Sequence, residues 1–584
     1  MTYIAPVKAM HYLLRHAVDI DGLLEHPEHS EVSHDLINDI LTGAASFSQD
    51  VLAPINWDGD QNPASIKDGD VTASPGFKEA YEAFVESGWQ ALSAPTDIGG
   101  MGLPQVVSVA ANEMIYAANM AFGLCPMLTT SAVKALHAHA SPELQAKYLD
   151  KMVMGEWSGA MCLTEPQAGS DLGPVRSKAI PQADGSYAVS GQKIFITWGD
   201  HDCADNIIHL ILARLPDAPA GSKGISLFLA PKYLVSENGE RGERNDFRPI
   251  GLEHKLGIHG SPTCIMEFDG AKAWLVGEPN RGLACMFTMM NEARLFVGVQ
   301  GVAIGDRAYQ QALGFAQERV QGRVIDEEGK APIIGHPDVR RMLMQMKARL
   351  MGARAICMAT AAASDASLVL KDEAARKAAH ARDALLTPIA KSYGSDCGVE
   401  AASIGIQVHG GMGFVEETGA AQHYRDSRIA PIYEGTNGIQ AMDLVGRKLR
   451  RDGGQAMASL ISDLKTVLSM SEDMPGYEMS AKCLAEGIET LESATQIVLE
   501  ASEKDALSIA TDYLNICADI ISGAFLIKAA CQGEKAQDPL ASNMQKLAAF
   551  HASTIMPQAN SRLAALRAGS AIVFDYPLDN LADL

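Results

Sequence analysis

The chain has 584 residues, of which 47% are hydrophobic, and carries a net charge of −23, so it can form several domains but should repel nucleic acid unless a local basic face exists. No run of 18 apolar residues occurs and Lys8, Arg15 and Asp19 interrupt the N-terminal segment, which argues against a membrane span and a secretory signal. The ten cysteines are scattered without a CxxC pair, as is typical of reduced thiols in a cytoplasmic protein.

The first part of the chain is predicted to be mainly helical. Segments 33–55 and 141–157 carry apolar residues at helical spacing, and Ser141 stands where an N-cap is expected. From residue 158 to 278 the pattern changes to short β-rich runs separated by turn residues, which predicts an antiparallel barrel or sandwich. These runs are SYAVSGQKIFITWG, NIIHLILARL, GISLFLAPKYLV and TCIMEFDGAKAWLVG.

Helical periodicity returns after this β region. Long helices rich in Ala, Met and Arg are predicted, among them 284–320 and 337–370. The stretch RRDGGQAM interrupts the pattern, and a further helical block continues to about residue 569. We therefore predict an α+β protein with four domains. They are an N-terminal helical domain (1–157), a middle β domain (158–278), a helical bundle (279–450) and an additional helical domain (451–584).

Three loops carry residues that suit ligand binding. AMCLTEPQAGSDLG offers the hydroxyls of Thr164 and Ser170 beside a glycine that permits close backbone approach. QVHGGMGF has adjacent glycines whose backbone N–H groups can face a phosphate, and ERVQGR places two arginines at a helix end. Taken alone, each could also be an ordinary loop or helix end.

Signatures of several other enzyme classes are missing from the sequence. There is no HExxH, GxSxG or P-loop pattern, and the sixteen histidines show no metal-ligand spacing. We therefore expect neither a metal centre nor serine acyl transfer nor kinase chemistry.

The stretch RIAPIYEGTNGIQ contains a single carboxylate, Glu434, between Tyr433 and Gly435 and after an apolar run. Such neighbours are unusual for a solvated surface glutamate. Burial raises the pKa of a carboxylate towards neutral pH, where a general base is most effective. From these neighbours alone, Glu434 is either a structural loop residue or a base in a poorly solvated pocket.

Six motifs together resemble the acyl-CoA dehydrogenase family in their order and spacing. They are CLTEPQAGSD, KIFITWG, NEARLFVG, ERVQGR, QVHGGMGF and RDSRIAPIYEGTNGIQ, and the resemblance covers roughly residues 40–450. The opening YIAPVKAMHYLL and the block after residue 450 are similar to a bacterial subgroup of longer chains. That subgroup includes enzymes for 3-(methylthio)propanoyl-CoA and for long-chain acyl-CoA.

The resemblance implies that the chain binds FAD. The implied cofactor-binding residues are Met161, Cys162, Leu163, Thr164, Ser170, Phe195, Ile196, Thr197, Arg319, Gln321, Gln407, Gly410, Gly411, Thr436 and Gly438. Thr164 and Thr197 would hydrogen-bond the flavin, and Phe195 would stack on it where the family commonly has Trp. Five of these residues would reach the FAD of a neighbouring subunit, which implies a homodimer. They are Arg319, Gln321, Gln407, Gly410 and Gly411. Gly322 follows Gln321 where the family usually has Phe, so that contact is missing.

The same resemblance implies the chemistry. Glu434 occupies the position of the family's catalytic base, and Ser170, Asn291, Arg294 and Gly435 match residues on the substrate side. The base removes a proton α to the thioester carbonyl, and the β-hydrogen leaves as hydride to flavin N5, giving a trans-2-enoyl-CoA. The backbone N–H of the base polarises the carbonyl. An electron-transfer flavoprotein is the implied acceptor.

Three alternatives stay open at this point. An acyl-CoA oxidase differs in the access of oxygen to the flavin, and a DNA-binding flavoprotein branch would need a basic face. The block after residue 450 is instead acidic to neutral. The acyl chain is either the short methylthiopropanoyl group or a medium or long fatty chain.

We favour a dimer over a tetramer because the extra helices could cover the face through which dimers pair.

Overall fold

The computed structural model describes residues 3–325 and 329–582, and it confirms the predicted α+β class with helices on both sides of a β region. The helices before the β region are α1 Val7–His16, α2 Ile20–Leu24, α3 His34–Phe47, α4 Ala53–Gln61, α5 Phe77–Glu86, α6 Gln105–Ala118, α7 Met120–His139 and α8 Pro142–Val153. The predicted N-cap is confirmed, because the Ser141 side chain accepts a hydrogen bond from the backbone N–H of Leu144. A short hairpin, β1 Ser65–Lys67 and β2 Asp70–Thr72, lies among these helices and was not predicted.

The middle of the chain forms a seven-stranded sheet and a second hairpin. The strands are β3 Trp157–Cys162, β4 Lys178–Pro181, β5 Tyr187–Thr197, β6 Asn206–Ala213, β7 Ser226–Pro231, β8 Tyr233–Val235, β9 Arg241–Arg244, β10 Phe247–Leu252 and β11 Thr263–Val276. The sheet order is β3-β6-β7-β11-β5-β4, with β10 also paired to β11. The ladders are antiparallel as predicted, except that β3 and β6 are parallel.

Three long helices follow the sheet, and each contributes many buried residues to the core. They are α9 Gly282–Glu318, α10 Pro337–Val369 and α11 Glu373–His409, and the short helices α12 Ala420–Ser427 and α13 Asn437–Asp443 come after them. Helices α9 and α11 approach closely through glycines. A Cβ added to Gly298 would lie 2.5 Å from the carbonyl oxygen of Ala390. This close packing sets α9 and α11 on two sides of the Glu434 turn.

The predicted C-terminal block consists of α14 Gln455–Glu472, α15 Glu478–Glu500, α16 Glu503–Ser508, α17 Ala510–Lys535, α18 Ala541–Thr554, α19 Gln558–Ala568 and α20 Ala571–Phe574. It is docked on the long helices by an ion pair of 3.3 Å between Arg349 on α10 and Asp519 on α17. The N-terminal helix α1 also packs on this block, since Tyr12 donates a hydrogen bond to the Ala529 carbonyl at 2.9 Å. The two segments that lie outside the shared motifs therefore contact one another.

Helix α17 is the one helix among the described residues that is long and apolar enough to cross a membrane. Most of it is buried inside the protein, as in the core helix of a packed domain.

Candidate active site

Glu434 lies in the tight turn between α12 and α13. Its φ is 55° and that of Gly435 is 87°, both in the left-handed region. A glutamate adopts this conformation at an energetic cost, and such residues concentrate at functional sites. The amide of the buried Gln440 holds the turn by donating to the carbonyl oxygens of Glu434 and Gly435, each at 3.3 Å. A side chain at position 435 would collide with this amide, which explains the glycine.

Helix α9 brings two predicted substrate-side residues to this turn. Arg294 is buried, with 6% of its surface exposed, and its Nε donates to the Glu434 carbonyl at 3.2 Å. Its Nη1 donates to Asn291 Oδ1, also at 3.2 Å. The structure thus places Asn291, Arg294, Glu434 and Gly435 together, as the motifs imply.

A second buried cation, Lys391 on α11, faces the same turn and was not predicted. Its Nζ donates to the Asn437 side chain at 2.9 Å, and Asn437 donates in turn to Asp396 at 2.8 Å. These bonds fasten the start of α13 to α11 and so hold the turn that carries Glu434. Burial lowers the pKa of Lys391 to about 7.

The surroundings of Glu434 give its carboxyl group the properties of a base that works near neutral pH. Burial raises its pKa to about 7, although the positive charges of Arg294 and Lys391 oppose this shift. Glu434 as a whole residue is half-buried. The carboxyl group of Glu434 can therefore exchange protons, but its ionised form is less favourable than the ionised form of a surface glutamate.

The predicted flavin-side residues meet at the ends of β3 and β5. The backbone N–H of Ile194 donates to the Thr164 carbonyl at 2.9 Å, which joins the two segments. Strand β5 has one more residue than β11 between the pairs Lys193–Met266 and Ile196–Cys264, so it bulges there. The bulge contains Phe195, whose φ is 59° and which is 59% exposed. Bulges re-aim side chains, and here the result is a large aromatic ring presented at the surface of the sheet.

A buried ion pair that was not predicted fixes this part of the site. Lys193 is fully buried and lies 2.8 Å from Glu165, which also accepts hydrogen bonds from Ser177 and from the Arg176 backbone. Burial alone would raise the pKa of Glu165, but Lys193 and these hydrogen bonds hold it at about 2. Lys193 also donates to the Leu163 carbonyl at 3.0 Å, so the pair holds the loop after β3 against β5.

Not every predicted flavin-side residue offers its side chain to a ligand. Cys162, Leu163 and Ile196 are buried in the hydrophobic cores, so only their backbone atoms can take part in binding. Met161, Thr164 and Thr197 are half-buried, whereas Ser170 is exposed.

The residues predicted to reach a neighbouring subunit lie at the ends of α9 and α11. The rings of Phe315 and His409 are 4.6 Å apart and bring these two ends together. Arg319, Gln321, Gln407, Gly410 and Gly411 are all exposed there. Close to Glu434 in the chain, the Thr436 side chain caps α13 by accepting a hydrogen bond from the Ile439 N–H, and Gly438 is exposed.

These features fit FAD. Phe195 offers an aromatic surface of the kind that a flavin ring covers. A Cβ at Gly169, Gly410 or Gly411 would meet no atom within 4 Å, so these loops have room for a ligand at their backbone. The exposed guanidinium of Arg319 suits a pyrophosphate.

The chain matches four domains of one protein family. Residues 40–156 match the acyl-CoA dehydrogenase N-terminal domain, 160–271 its middle domain and 280–449 its C-terminal domain. Residues 460–577 match an acetyl-CoA dehydrogenase C-terminal-like domain. The family binds FAD, works on acyl-CoA substrates and operates with electron-transfer flavoproteins.

Individual relatives agree with this match. The chain is 50% identical to a 3-methylmercaptopropionyl-CoA dehydrogenase of Ruegeria pomeroyi over 457 residues, which is 78% of both chains. It is 33% identical to a broad-specificity linear acyl-CoA dehydrogenase of Mycobacterium tuberculosis over 95% of its own length and 96% of that protein. The fold is similar to that of Caenorhabditis elegans ACDH-11 in complex with C11-CoA, with a TM-score of 0.78, 21% identity and coverage of 99% and 96%. The chain therefore belongs to the acyl-CoA dehydrogenase family and is an FAD-dependent oxidoreductase.

Proposed function

We propose that this enzyme removes the α-proton of an acyl-CoA with Glu434 as the general base. The observation that carries the proposal is the half-buried residue Glu434, whose pKa is raised to about 7 and whose strained turn is tied to the buried Arg294. A proton α to a thioester carbonyl is weakly acidic, so it needs a positioned base that is deprotonated near neutral pH.

The residues of the chain divide the work of this step. Glu434 Oε accepts the proton and becomes neutral, which its poorly solvated position favours. Arg294, Gln440 and Lys391 keep the turn in place through the backbone of Glu434 and the side chain of Asn437. Bound FAD would accept the β-hydrogen as hydride. Thr164, Phe195 and Thr197 would hold its flavin ring. The rest of the cofactor would be bound by Ser170, Arg319, Gln321, Gln407, Gly410, Gly411, Thr436 and Gly438.

The substrate that we propose is 3-(methylthio)propanoyl-CoA, ahead of medium or long fatty acyl-CoA. The 50% identical relative supports this choice through the substrate in its name. The test is an assay of the purified holoenzyme with a ferrocenium acceptor, using 3-(methylthio)propanoyl-CoA and unbranched acyl-CoAs of increasing length. We expect a yellow protein with one non-covalent FAD per subunit and the highest kcat/KM for the methylthio substrate. A protein that gains no flavin spectrum after FAD reconstitution would contradict the proposal.

We also propose that the active form is a homodimer. The exposed cluster of Arg319, Gln321 and Gln407 supports it, because these residues would complete a partner's cofactor site. Sedimentation of the holoenzyme should therefore give a dimer. When the dimer separates into monomers, FAD should dissociate more readily. A fully active monomer would argue against this assembly. Electrons would leave to an electron-transfer flavoprotein, and the ten free thiols support a cytoplasmic location.

A further inference from the structure

A cluster of buried polar groups adjoins Glu434 in the chain and has no part in the proton transfer. The Tyr433 hydroxyl donates to Oε1 of Gln300, a fully buried residue of α9. Tyr116 on α6 is 1% exposed, and its ring packs against Phe296 and Gly123, which lie one helical turn before Gln300 on α9 and Met127 on α7. Three polar side chains from separate elements thus converge behind the turn.

The Tyr116 hydroxyl has no hydrogen-bond partner among the described residues. A buried hydroxyl without a partner is unfavourable, and such groups are rare in folded proteins. The ring is held in place by Phe296, with centroids 6.3 Å apart, and by Gly123, where any side chain would collide with it. The structure therefore fixes an unsatisfied donor at one position.

The cluster already accommodates one thioether. Gln300 Nε2 donates to the sulfur of Met127 at 3.1 Å, inside the same buried region. A thioether sulfur is a weak acceptor that combines readily with apolar surroundings. The Gln300 amide thus already donates to a sulfur, whereas the Tyr116 hydroxyl is a donor that a thioether in the bound acyl chain would satisfy and that an all-carbon chain would leave without a partner.

We infer that Tyr116 and Gln300 form the end of the acyl-chain site and select short acyl groups that carry a hydrogen-bond-accepting heteroatom, such as a thioether, next to the β-carbon. This inference rests on the proposed function, because it requires the acyl chain to pass Glu434 and Tyr433. The heteroatom is bound as a hydrogen-bond acceptor and takes no part in the redox step. Tyr116 acts on substrate choice, so its loss should change the preference between substrates more than the chemistry itself.

Two substrates of equal chain length allow a direct test. 3-(Methylthio)propanoyl-CoA and pentanoyl-CoA have five chain atoms each and differ by sulfur in place of one methylene. Wild-type enzyme should prefer the sulfur chain in kcat/KM by about fivefold or more, the factor expected from one neutral hydrogen bond. In Tyr116→Phe this ratio should fall to within about twofold of unity. Tyr148→Phe is the matched control and should keep the wild-type ratio, because Tyr148 is equally buried and unpaired but packs on Trp157 and Trp274.

The flavin content and the circular dichroism of each variant show whether it is folded. If Tyr116→Phe loses its flavin, the same ratio is read from Gln300→Met, which removes the amide but keeps the length of the side chain, and it should also fall. A folded variant that keeps the full preference would overturn the inference alone, whereas a wild-type enzyme without a preference for sulfur would overturn both the inference and the proposed substrate. Failure of every acyl-CoA to reduce the wild-type flavin would instead overturn the proposed function.

Discussion

Glu434→Gln should keep its FAD and its affinity for acyl-CoA but lose most of its rate of flavin reduction. Glutamine preserves the shape and the hydrogen-bonding reach of the side chain while removing the basic lone pair. General-base catalysis is typically worth about 10²–10⁴-fold, and the loss should be at least of this size. The measurement is anaerobic stopped-flow bleaching of the flavin band by 3-(methylthio)propanoyl-CoA.

Two further variants show that the loss belongs to the base. Glu434→Asp keeps a carboxylate but withdraws it by about one methylene. Its rate of flavin reduction should lie between those of wild type and Glu434→Gln, because a displacement of about 1 Å can slow a reaction roughly 10²-fold. Glu417→Gln makes the same chemical change at an exposed position and should reduce its flavin at the wild-type rate. A Glu434→Gln rate within about tenfold of wild type would mean that another residue takes the proton.

Arg354→Met should strongly destabilise the helical core. Arg354 is fully buried on α10 and pairs with Glu113 on α6 at 2.6 Å and with Asp306 on α9 at 3.3 Å. Its removal leaves two buried carboxylates beside one another without their shared counter-charge. Breaking a buried ion pair from one side typically lowers the free energy of unfolding by about 3–5 kcal/mol. Urea unfolding followed by circular dichroism should show the helical transition at a clearly lower midpoint.

Arg341→Met is the control on the same helix. Arg341 is largely exposed and pairs with Asp338 one turn away, and exposed pairs contribute only about 0–1 kcal/mol. Its unfolding midpoint should therefore stay close to that of wild type. If Arg354→Met unfolds at the same urea concentration as Arg341→Met, the buried network has no stabilising role.

The long helices could be predicted because their apolar spacing persists over many turns. The predicted segments 284–320 and 337–370 correspond to the observed helices α9 Gly282–Glu318 and α10 Pro337–Val369. Strand β3 was missed because WSGAMC is buried nearly throughout and lacks the alternation that marks a strand with one exposed face. Its parallel pairing with β6 depends on a partner about fifty residues away, which no local pattern specifies.

The candidate site shows the same division between local and long-range information. Glu434 and Phe195 stand in recognisable local motifs, and the structure gives both a left-handed backbone. Lys391 and Tyr116 stand instead in helices whose composition indicates ordinary core. Lys391 reaches Asn437 only because α9, α11 and α13 converge. The bulge at Phe195 likewise follows from a mismatch of one residue between β5 and β11, which only the paired strands reveal.

The central claim, that Glu434 must be ionised to take the substrate proton, is tested most directly by the pH dependence of anaerobic flavin reduction. The second-order rate constant reports the free enzyme. Since burial raises the pKa of Glu434 to about 7, the base is increasingly protonated below that pH. The rate constant for wild type should thus fall about tenfold per pH unit below pH 7 and reach a plateau above it. A profile that is flat from about pH 5 to 9, or that falls only near the ordinary glutamate pKa of about 4.3, would contradict the account.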